Sequence, residues 1–265
     1  MAATSKAVKS NNVDDVESKP KTDENVFLFV PNLIGYTRVI LAAVSLTYMS
    51  YHPKYCTLLY GISSLLDAVD GQAARALGQS SRFGAVLDMV TDRCATTCLL
   101  CFLGYAYPSW QLLFQFLITL DFSSHYIHMY ASLVTGSKSH KAVTKKQSRI
   151  LWSYYNNSKT LFFFCACNEL FFVALYLIKW YPTPLGIHTT DILPYLPKEV
   201  LVKIPRSFFT FLEHQLTWPF LLAGATFPVC FMKQVINCVQ FWKAAKSLTD
   251  LDREERYVLQ QTKRR

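Results

Sequence analysis

The chain has 265 residues, of which 51% are hydrophobic and only 17% are charged, and its formal net charge is +9. Charged residues concentrate in residues 1–24, 138–159 and 243–265 and leave long apolar runs between them, which predicts an integral membrane protein and excludes a soluble globular core. The positive charge is typical of loops that face anionic lipid headgroups, and because no nucleic-acid-binding motif accompanies it, we expect no nucleic-acid partner.

The first predicted element is a polar arm. Residues 1–25 lack the apolar stretch and the small-residue cleavage site of a signal peptide, so we expect a disordered arm in the cytosol. Residues 26–242 are predicted to form a transmembrane domain, and residues 243–265 a basic cytosolic tail. The predicted fold class is all-α, a polytopic membrane protein with six transmembrane helices.

The six spans are predicted from apolar runs, because a helix needs about 20 mostly apolar residues to cross a bilayer. They cover residues 31–51, 54–77, 81–107, 109–135, 160–180 and 216–242. Five prolines interrupt residues 181–214, which predicts an irregular connection with a short amphipathic helix near residues 199–212. Lysine and arginine are most frequent in the fourth-to-fifth loop and in the tail, which predicts that both termini lie in the cytosol.

Four aspartates lie near the short turn, residues 78–81, that joins the second and third predicted spans. Asp67 and Asp70 are three residues apart, and Asp88 and Asp92 are four apart, so each pair shares one face of its helix. The turn makes the two helices antiparallel and lets the pairs meet. Four such carboxylates repel one another unless cations lie between them, and all-oxygen ligands suit Mg²⁺ or Mn²⁺. The pattern therefore predicts a site for two divalent ions, as in two-metal phosphoryl chemistry.

Small residues and one arginine accompany the aspartates. Gly71 follows Asp70, Ala74 lies one turn beyond Asp70, and Gly84 lies one turn before Asp88. These positions leave room for a bulky ligand to approach the backbone. Arg75 can bind a phosphate with its forked donors.

Together these residues form the pattern D-x-x-D-G-x-x-A-R-(eight residues)-G-x-x-x-D-x-x-x-D between Asp67 and Asp92. This pattern resembles the signature of the CDP-alcohol phosphotransferases. The segments FLFVPNLIGYTR, RFGAVLDMVTDRC, DFSSHYIHMY and CNELFF resemble the eukaryotic phosphatidylinositol synthases of that family. The resemblance implies that CDP-diacylglycerol and myo-inositol are the substrates, that phosphatidylinositol and CMP are the products, and that the enzyme is a homodimer in the endoplasmic reticulum membrane with its active site facing the cytosol.

The resemblance also implies roles for individual residues. The metal ions would be held by Asp67, Asp70, Asp88 and Asp92, and Asp92 would also be the general base that accepts the proton of the inositol hydroxyl. The CDP-diacylglycerol contacts would come from five residues: Gly71, Ala74, Arg75, Ser81 and Gly84.

Further polar residues lie in or beside the predicted spans. Candidates for contacts to the acceptor alcohol or to a phosphate are Asn32, Arg38, Arg149, Asn168 and Glu169. A pairing with a carboxylate is the alternative role for Arg38. A second set follows helical spacing on the fourth span: Asp121, His125 and His128. That spacing fits a metal site, but it favours an interhelical hydrogen-bonding stripe.

Three other functions remain open at this point. The first is a member of the same family that uses glycerol phosphate, serine or choline as its acceptor, because the core motif is shared. The second is an intramembrane prenyltransferase with paired aspartate motifs, although such motifs are usually denser. The third is a membrane cation transporter, which would place its carboxylates near the bilayer midplane.

Overall fold

A computed structural model of the chain describes residues 24–135, 154, 157–186 and 205–264. Within this part of the chain the regular structure is helical and contains no strand. The described residues include seven α-helices with defined bounds: α1 (Val30–Tyr48), α2 (Pro53–Ala76), α3 (Arg82–Ala106), α4 (Gln111–Val134), α5 (Ser158–Trp180), α6 (Arg206–His214) and α7 (Trp218–Lys263). Short 3₁₀ helices precede α1 (Val26–Leu28) and α4 (Pro108–Trp110). The predicted all-α fold is confirmed.

Each of the six predicted spans corresponds to a helix. The bounds of α1 to α5 agree with the prediction to within about three residues, as helix ends usually do. The last helix differs, because α7 continues past residue 242 to Lys263 and contains Pro228 in its interior. The short helix expected near residues 199–212 is α6, and residues 187–204 lie outside the described part of the chain.

Three of the helices are long and apolar enough to cross a membrane: α1, α5 and α7. Large apolar side chains stay exposed on the outer surfaces of the helices, among them Leu58, Leu65 and Leu112, with exposed fractions of 59%, 65% and 80%. Exposed apolar surface of this extent is unfavourable in water and favourable in lipid. The chain is therefore an integral membrane protein.

The turn between α2 and α3 is fixed by its own residues. Gly78 has a φ of 65°, which a glycine adopts without strain. The Gln79 backbone N–H donates to the Ala74 carbonyl at 3.0 Å, which closes α2 with a Schellman motif. The Gln79 side chain accepts a hydrogen bond from the backbone N–H of Val30 at 2.9 Å and so ties the turn to the start of α1.

The helices pack so that the apolar core and the aspartates lie at opposite ends of α2 and α3. Helix α1 packs along α2 and also against α3, while α7 packs against α4 and α5. The main core forms around the first half of α2 and the second half of α3, with Cys56, Tyr60, Leu99 and Leu103 buried there. The ends joined by the turn are thus left for polar groups.

Candidate active site

The four aspartates meet around one arginine of α1. Arg38 Nη1 lies 2.6 Å from a carboxylate oxygen of Asp70 and 2.9 Å from one of Asp88. Arg38 Nη2 lies 2.8 Å from a carboxylate oxygen of Asp67 and 2.6 Å from one of Asp92. We call these five side chains the carboxylate cluster. The predicted meeting of the two aspartate pairs is therefore found in the structure, and Arg38 joins α1 to them.

Burial differs sharply within the carboxylate cluster. The Arg38 side chain is only 2% exposed, whereas those of Asp67, Asp88 and Asp92 are 38%, 32% and 35% exposed. The guanidinium and Asp70, which is 11% exposed, therefore lie at the base of the cluster, and the other three carboxylates are partly open. One positive charge among four negative charges leaves a formal excess of three negative charges.

The donor set of the carboxylate cluster fits divalent cations. Carboxylate oxygens of Asp67, Asp70 and Asp88 all lie within 4.8 Å of one another. Hard oxygen ligands of this kind are those that Mg²⁺ and Mn²⁺ prefer, and the negative charge left over by Arg38 calls for further cations. The residues present thus fit a divalent-metal site.

The two glycines of the motif have different surroundings. A Cβ atom at Gly71 would approach only the Arg75 guanidinium, at 3.6 Å, so the surface at Gly71 is open. A Cβ atom at Gly84 would lie 2.6 Å from Asn32 Oδ1, so Gly84 allows α1 to approach α3. Asn32 is almost fully buried in this contact, which places it beside Gly84.

Ser81 begins α3. Its hydroxyl oxygen accepts a hydrogen bond from the Gly84 backbone N–H at 2.9 Å, as an N-cap residue does. Its O–H group keeps its donor capacity. Arg75, in the last turn of α2, is exposed, and Ala74 is partly exposed beside it.

Asn168 and Glu169 lie on α5 within hydrogen-bonding distance of neighbouring helices. Glu169 accepts hydrogen bonds from Tyr60 at 2.8 Å and from Thr96 at 2.7 Å. Thr96 lies one turn after Asp92 on α3. Asn168 Oδ1 accepts a hydrogen bond from Gln234 of α7 at 2.9 Å. Arg149, the remaining candidate for acceptor or phosphate contacts, lies outside the described residues.

A second group of charged side chains lies between α3, α4 and α7. Arg93 donates to both carboxylate oxygens of Asp121, at 2.8 and 3.1 Å, and Asn237 lies 3.4 Å from Asp121 Oδ1. Lys233 donates to Asn237 at 2.7 Å. We call the residues that link the helices here, together with the two polar residues of α5, the interior polar network: Arg93, Asp121, Asn168, Glu169, Lys233, Gln234 and Asn237.

One of the two α4 histidines, His125, contacts a neighbouring helix, as expected for an interhelical hydrogen-bonding stripe. His125 lies within 2.8 Å of the Asp121 backbone carbonyl and 3.4 Å from Arg93 Nη1. Among the described residues, the one set of carboxylates, histidines and cysteines close enough to share an ion is Asp67, Asp70 and Asp88. Asp121, with its neighbours, therefore serves interhelical hydrogen bonding.

Sequence reasoning did not single out Arg93 or Lys233. Both lie well inside predicted spans, and both side chains are largely buried. Ionisable residues within spans are rare and are usually functional or paired, which is the signal that could have identified them.

Comparisons with known proteins cover the part of the chain that contains the carboxylate cluster. The sequence profile of the family described as CDP-alcohol phosphatidyltransferase matches residues 28–190, which include all four aspartates. No solved structure is significantly similar to the chain.

Three curated relatives share much of the sequence, and each is named CDP-diacylglycerol–inositol 3-phosphatidyltransferase. The relative from Schizosaccharomyces pombe is 53% identical over 234 residues, which cover 88% of this chain and 94% of the relative. The mouse relative is 40% identical over 238 residues, 88% of this chain and 97% of the relative. The Saccharomyces cerevisiae relative is 53% identical over 156 residues, 59% of this chain and 71% of the relative.

Proposed function

The chain belongs to the CDP-alcohol phosphatidyltransferase family, and we propose that it transfers a phosphatidyl group from CDP-diacylglycerol to myo-inositol. The products are phosphatidylinositol and CMP. The observation that carries this proposal is the carboxylate cluster, in which four aspartates of the family motif converge at the partly open ends of α2 and α3. Because the chain belongs to this family, we no longer consider it a cation transporter or a prenyltransferase.

The carboxylate cluster is the reaction centre. Asp67, Asp70, Asp88 and Asp92 would hold two divalent ions, Mg²⁺ or Mn²⁺, and the bound ions would offset the charge of the diphosphate and stabilise the transferred phosphoryl group. Arg38 fixes the four carboxylates relative to one another from below, because its two terminal nitrogens each reach two of them.

Asp92 acts as the general base. An alcohol is a weak nucleophile, and a carboxylate within hydrogen-bonding distance assists its attack. The inositol O–H bond breaks as its oxygen forms a bond to the β-phosphorus, the proton passes to Asp92, and the bond between phosphorus and the CMP oxygen breaks. CMP leaves with the electron pair of that bond.

Different residues serve the two substrates. The CDP group contacts Gly71, Ala74, Arg75, Ser81 and Gly84, where the surface at Gly71 is open and the Arg75 guanidinium can bind a phosphate. The candidates for acceptor or phosphate contacts remain Asn32, Arg38, Arg149, Asn168 and Glu169, because a polyol needs several hydrogen-bond partners.

The membrane placement follows from the same reasoning. All six long helices span the bilayer, residues 26–242 form the catalytic domain, and residues 1–25 and 243–265 lie in the cytosol, on the side where the carboxylates meet. The membrane is that of the endoplasmic reticulum, and the enzyme is a homodimer surrounded by lipid. These statements rest on the basic residues of the loops and on the family.

The test is incorporation of radiolabelled inositol into lipid by the purified protein with CDP-diacylglycerol and Mg²⁺ or Mn²⁺. We expect incorporation that stops when EDTA removes the metal and that falls by about 10²–10⁴-fold in an Asp92→Asn variant. An Asp250→Asn variant is the matched control, because Asp250 is exposed on the distant part of α7. Transfer to serine, choline or glycerol phosphate, but not to inositol, would overturn the acceptor while leaving the family intact.

A further inference from the structure

The carboxylate of Asp92 lies between two guanidinium groups. Its Oδ1 accepts a 2.6 Å hydrogen bond from Arg38 Nη2, and its Oδ2 lies 3.7 Å from Arg93 Nη2. We propose that Arg93 is a positioning residue for the reaction: it fixes the orientation of the Asp92 carboxylate by linking it to Asp121 of α4. This inference rests on the proposed function, in which Asp92 is the general base.

The two oxygens of Asp92 are not equivalent. Oδ1 is engaged in a short, charge-assisted hydrogen bond to Arg38. The 3.7 Å separation between Oδ2 and Arg93 is too long for a hydrogen bond, so Arg93 attracts Oδ2 by charge and sets the direction in which the carboxylate faces. The Asp92 side chain is 35% exposed, so an alcohol can reach it.

Arg93 is itself held firmly. Its Nη1 donates to both oxygens of Asp121 on α4, and its side chain is only 14% exposed. Asn237 of α7 lies 3.4 Å from Asp121 Oδ1, and Lys233 donates to Asn237. Helices α4 and α7, which contribute no residue to the carboxylate cluster, therefore determine where the Arg93 charge lies.

The geometry requires an arginine in particular. Arg93 Nη1 donates to Asp121, while Nη2 faces Asp92. The planar guanidinium group can point its donors in two fixed directions at once. A lysine ammonium in the same place is a single point charge on a flexible stem. It can keep the charge near Asp92 but cannot hold both carboxylates in the same arrangement.

The experiment compares three variants with the wild type: Arg93→Gln, Arg93→Lys and the double variant Arg93→Gln/Asp121→Asn. Steady-state rates are measured with the alcohol that the wild type uses, and thermal unfolding is measured in detergent. We expect Arg93→Gln to lower kcat by about 100-fold, the cost of misplacing a reacting group by about 1 Å. The KM values for both substrates should change by less than about threefold, since binding is not affected. Arg93→Lys should recover part of the lost kcat.

The double variant separates positioning from stability. It removes both charges of the Arg93–Asp121 pair, so neither charge is left without the other, and we expect its unfolding temperature to exceed that of Arg93→Gln while its kcat stays low. If Arg93→Gln does not fold, the double variant and Arg93→Lys decide the question. Arg253→Gln is the matched control, because Arg253 pairs with Asp250 at the exposed surface, and its rates should equal those of the wild type.

Two outcomes would overturn the proposal. The first is recovery of kcat in the double variant, which would make Arg93 only a partner of Asp121. The second is a raised KM for the alcohol with kcat unchanged, which would make Arg93 a substrate contact. If the wild type transfers the phosphatidyl group to another alcohol, the proposed acceptor fails, whereas the role of Arg93 is still decided by the rates with that alcohol.

Discussion

The carboxylate cluster and the interior polar network contain the same kinds of side chain but differ in charge balance and exposure. In the cluster, four carboxylates face one guanidinium and three of them are about one-third exposed. In the network, Arg93 and Lys233 are balanced by Asp121 and Glu169, and all are largely buried. An excess of like charge costs free energy unless a ligand offsets it, whereas a balanced, hydrogen-bonded set holds helices in place. We therefore interpret the surplus charge as the mark of the proposed reaction centre and the balanced charge as the mark of its support.

The largest expected effect separates activity from stability. An Asp88→Asn variant should lose about 1,000-fold in activity, because it removes a charge on which the electrostatic stabilisation of phosphoryl transfer depends. Its unfolding temperature should be unchanged or raised, because the substitution relieves repulsion among the four carboxylates. Inositol incorporation and thermal unfolding in detergent measure the two properties.

The matched substitution in the interior polar network should behave in the opposite way. Asp121→Asn leaves the buried Arg93 with less opposing charge, so the unfolding temperature should fall. If Asp88→Asn were the more destabilising of the two, the distinction between surplus and balanced charge would be wrong.

Removing the cation at the base of the cluster should have the next largest effect. An Arg38→Met variant keeps an unbranched side chain but removes the guanidinium, which leaves four carboxylates around a shorter apolar group. We expect the free energy of unfolding to fall by about 3–5 kcal/mol, the usual cost of breaking a buried ion pair. Added Mg²⁺ should raise the unfolding temperature of this variant more than that of the wild type. An equal response in both proteins would argue against a shared role for Arg38 and metal in offsetting the carboxylates.

Local spacing in the sequence was enough to predict the helices and the meeting of the four aspartates. Apolar runs predicted α1 to α5, and the separations of three and four residues, with the short turn, placed Asp67, Asp70, Asp88 and Asp92 together. Contacts between distant segments were not predictable in this way. Arg38 reaches all four aspartates, and Arg93 binds Asp121, because of the rotation of α1 and α4 about their axes. Local spacing in the sequence does not determine that rotation.

The carboxyl-terminal end of α7 illustrates a further limit of prediction from sequence. The apolar run ends near residue 242, but the helix continues to Lys263, because charged and long polar side chains such as those of residues 250–263 are also good helix formers. Hydropathy predicts where a membrane segment ends, and it does not predict where the helix ends.

A smaller effect tests whether Gly84 serves packing or substrate binding. Gly84→Ala places a methyl group 2.6 Å from Asn32 Oδ1, so the free energy of unfolding should fall by about 1–3 kcal/mol through overpacking. Gly61→Ala is the control, because nothing lies within 4 Å of its added Cβ and it should gain up to about 1 kcal/mol from helix propensity. A normal unfolding temperature together with a raised KM for CDP-diacylglycerol would make Gly84 a substrate contact alone.

The smallest expected effect concerns Glu169, where the two regions meet. Glu169 accepts hydrogen bonds from Tyr60 and Thr96, and Thr96 also donates to the Asp92 backbone carbonyl. Glu169 therefore belongs to the interior polar network and yet lies near Asp92, the proposed general base. Glu169→Gln retains most of this hydrogen bonding and should change the free energy of unfolding by about 1 kcal/mol or less. If Glu169 also binds inositol, the KM for inositol should rise about tenfold, equivalent to about 1.4 kcal/mol, while the KM for CDP-diacylglycerol stays the same. Unchanged KM values for both substrates would assign Glu169 to the interior polar network alone and would move the search for inositol-selecting residues to other helices.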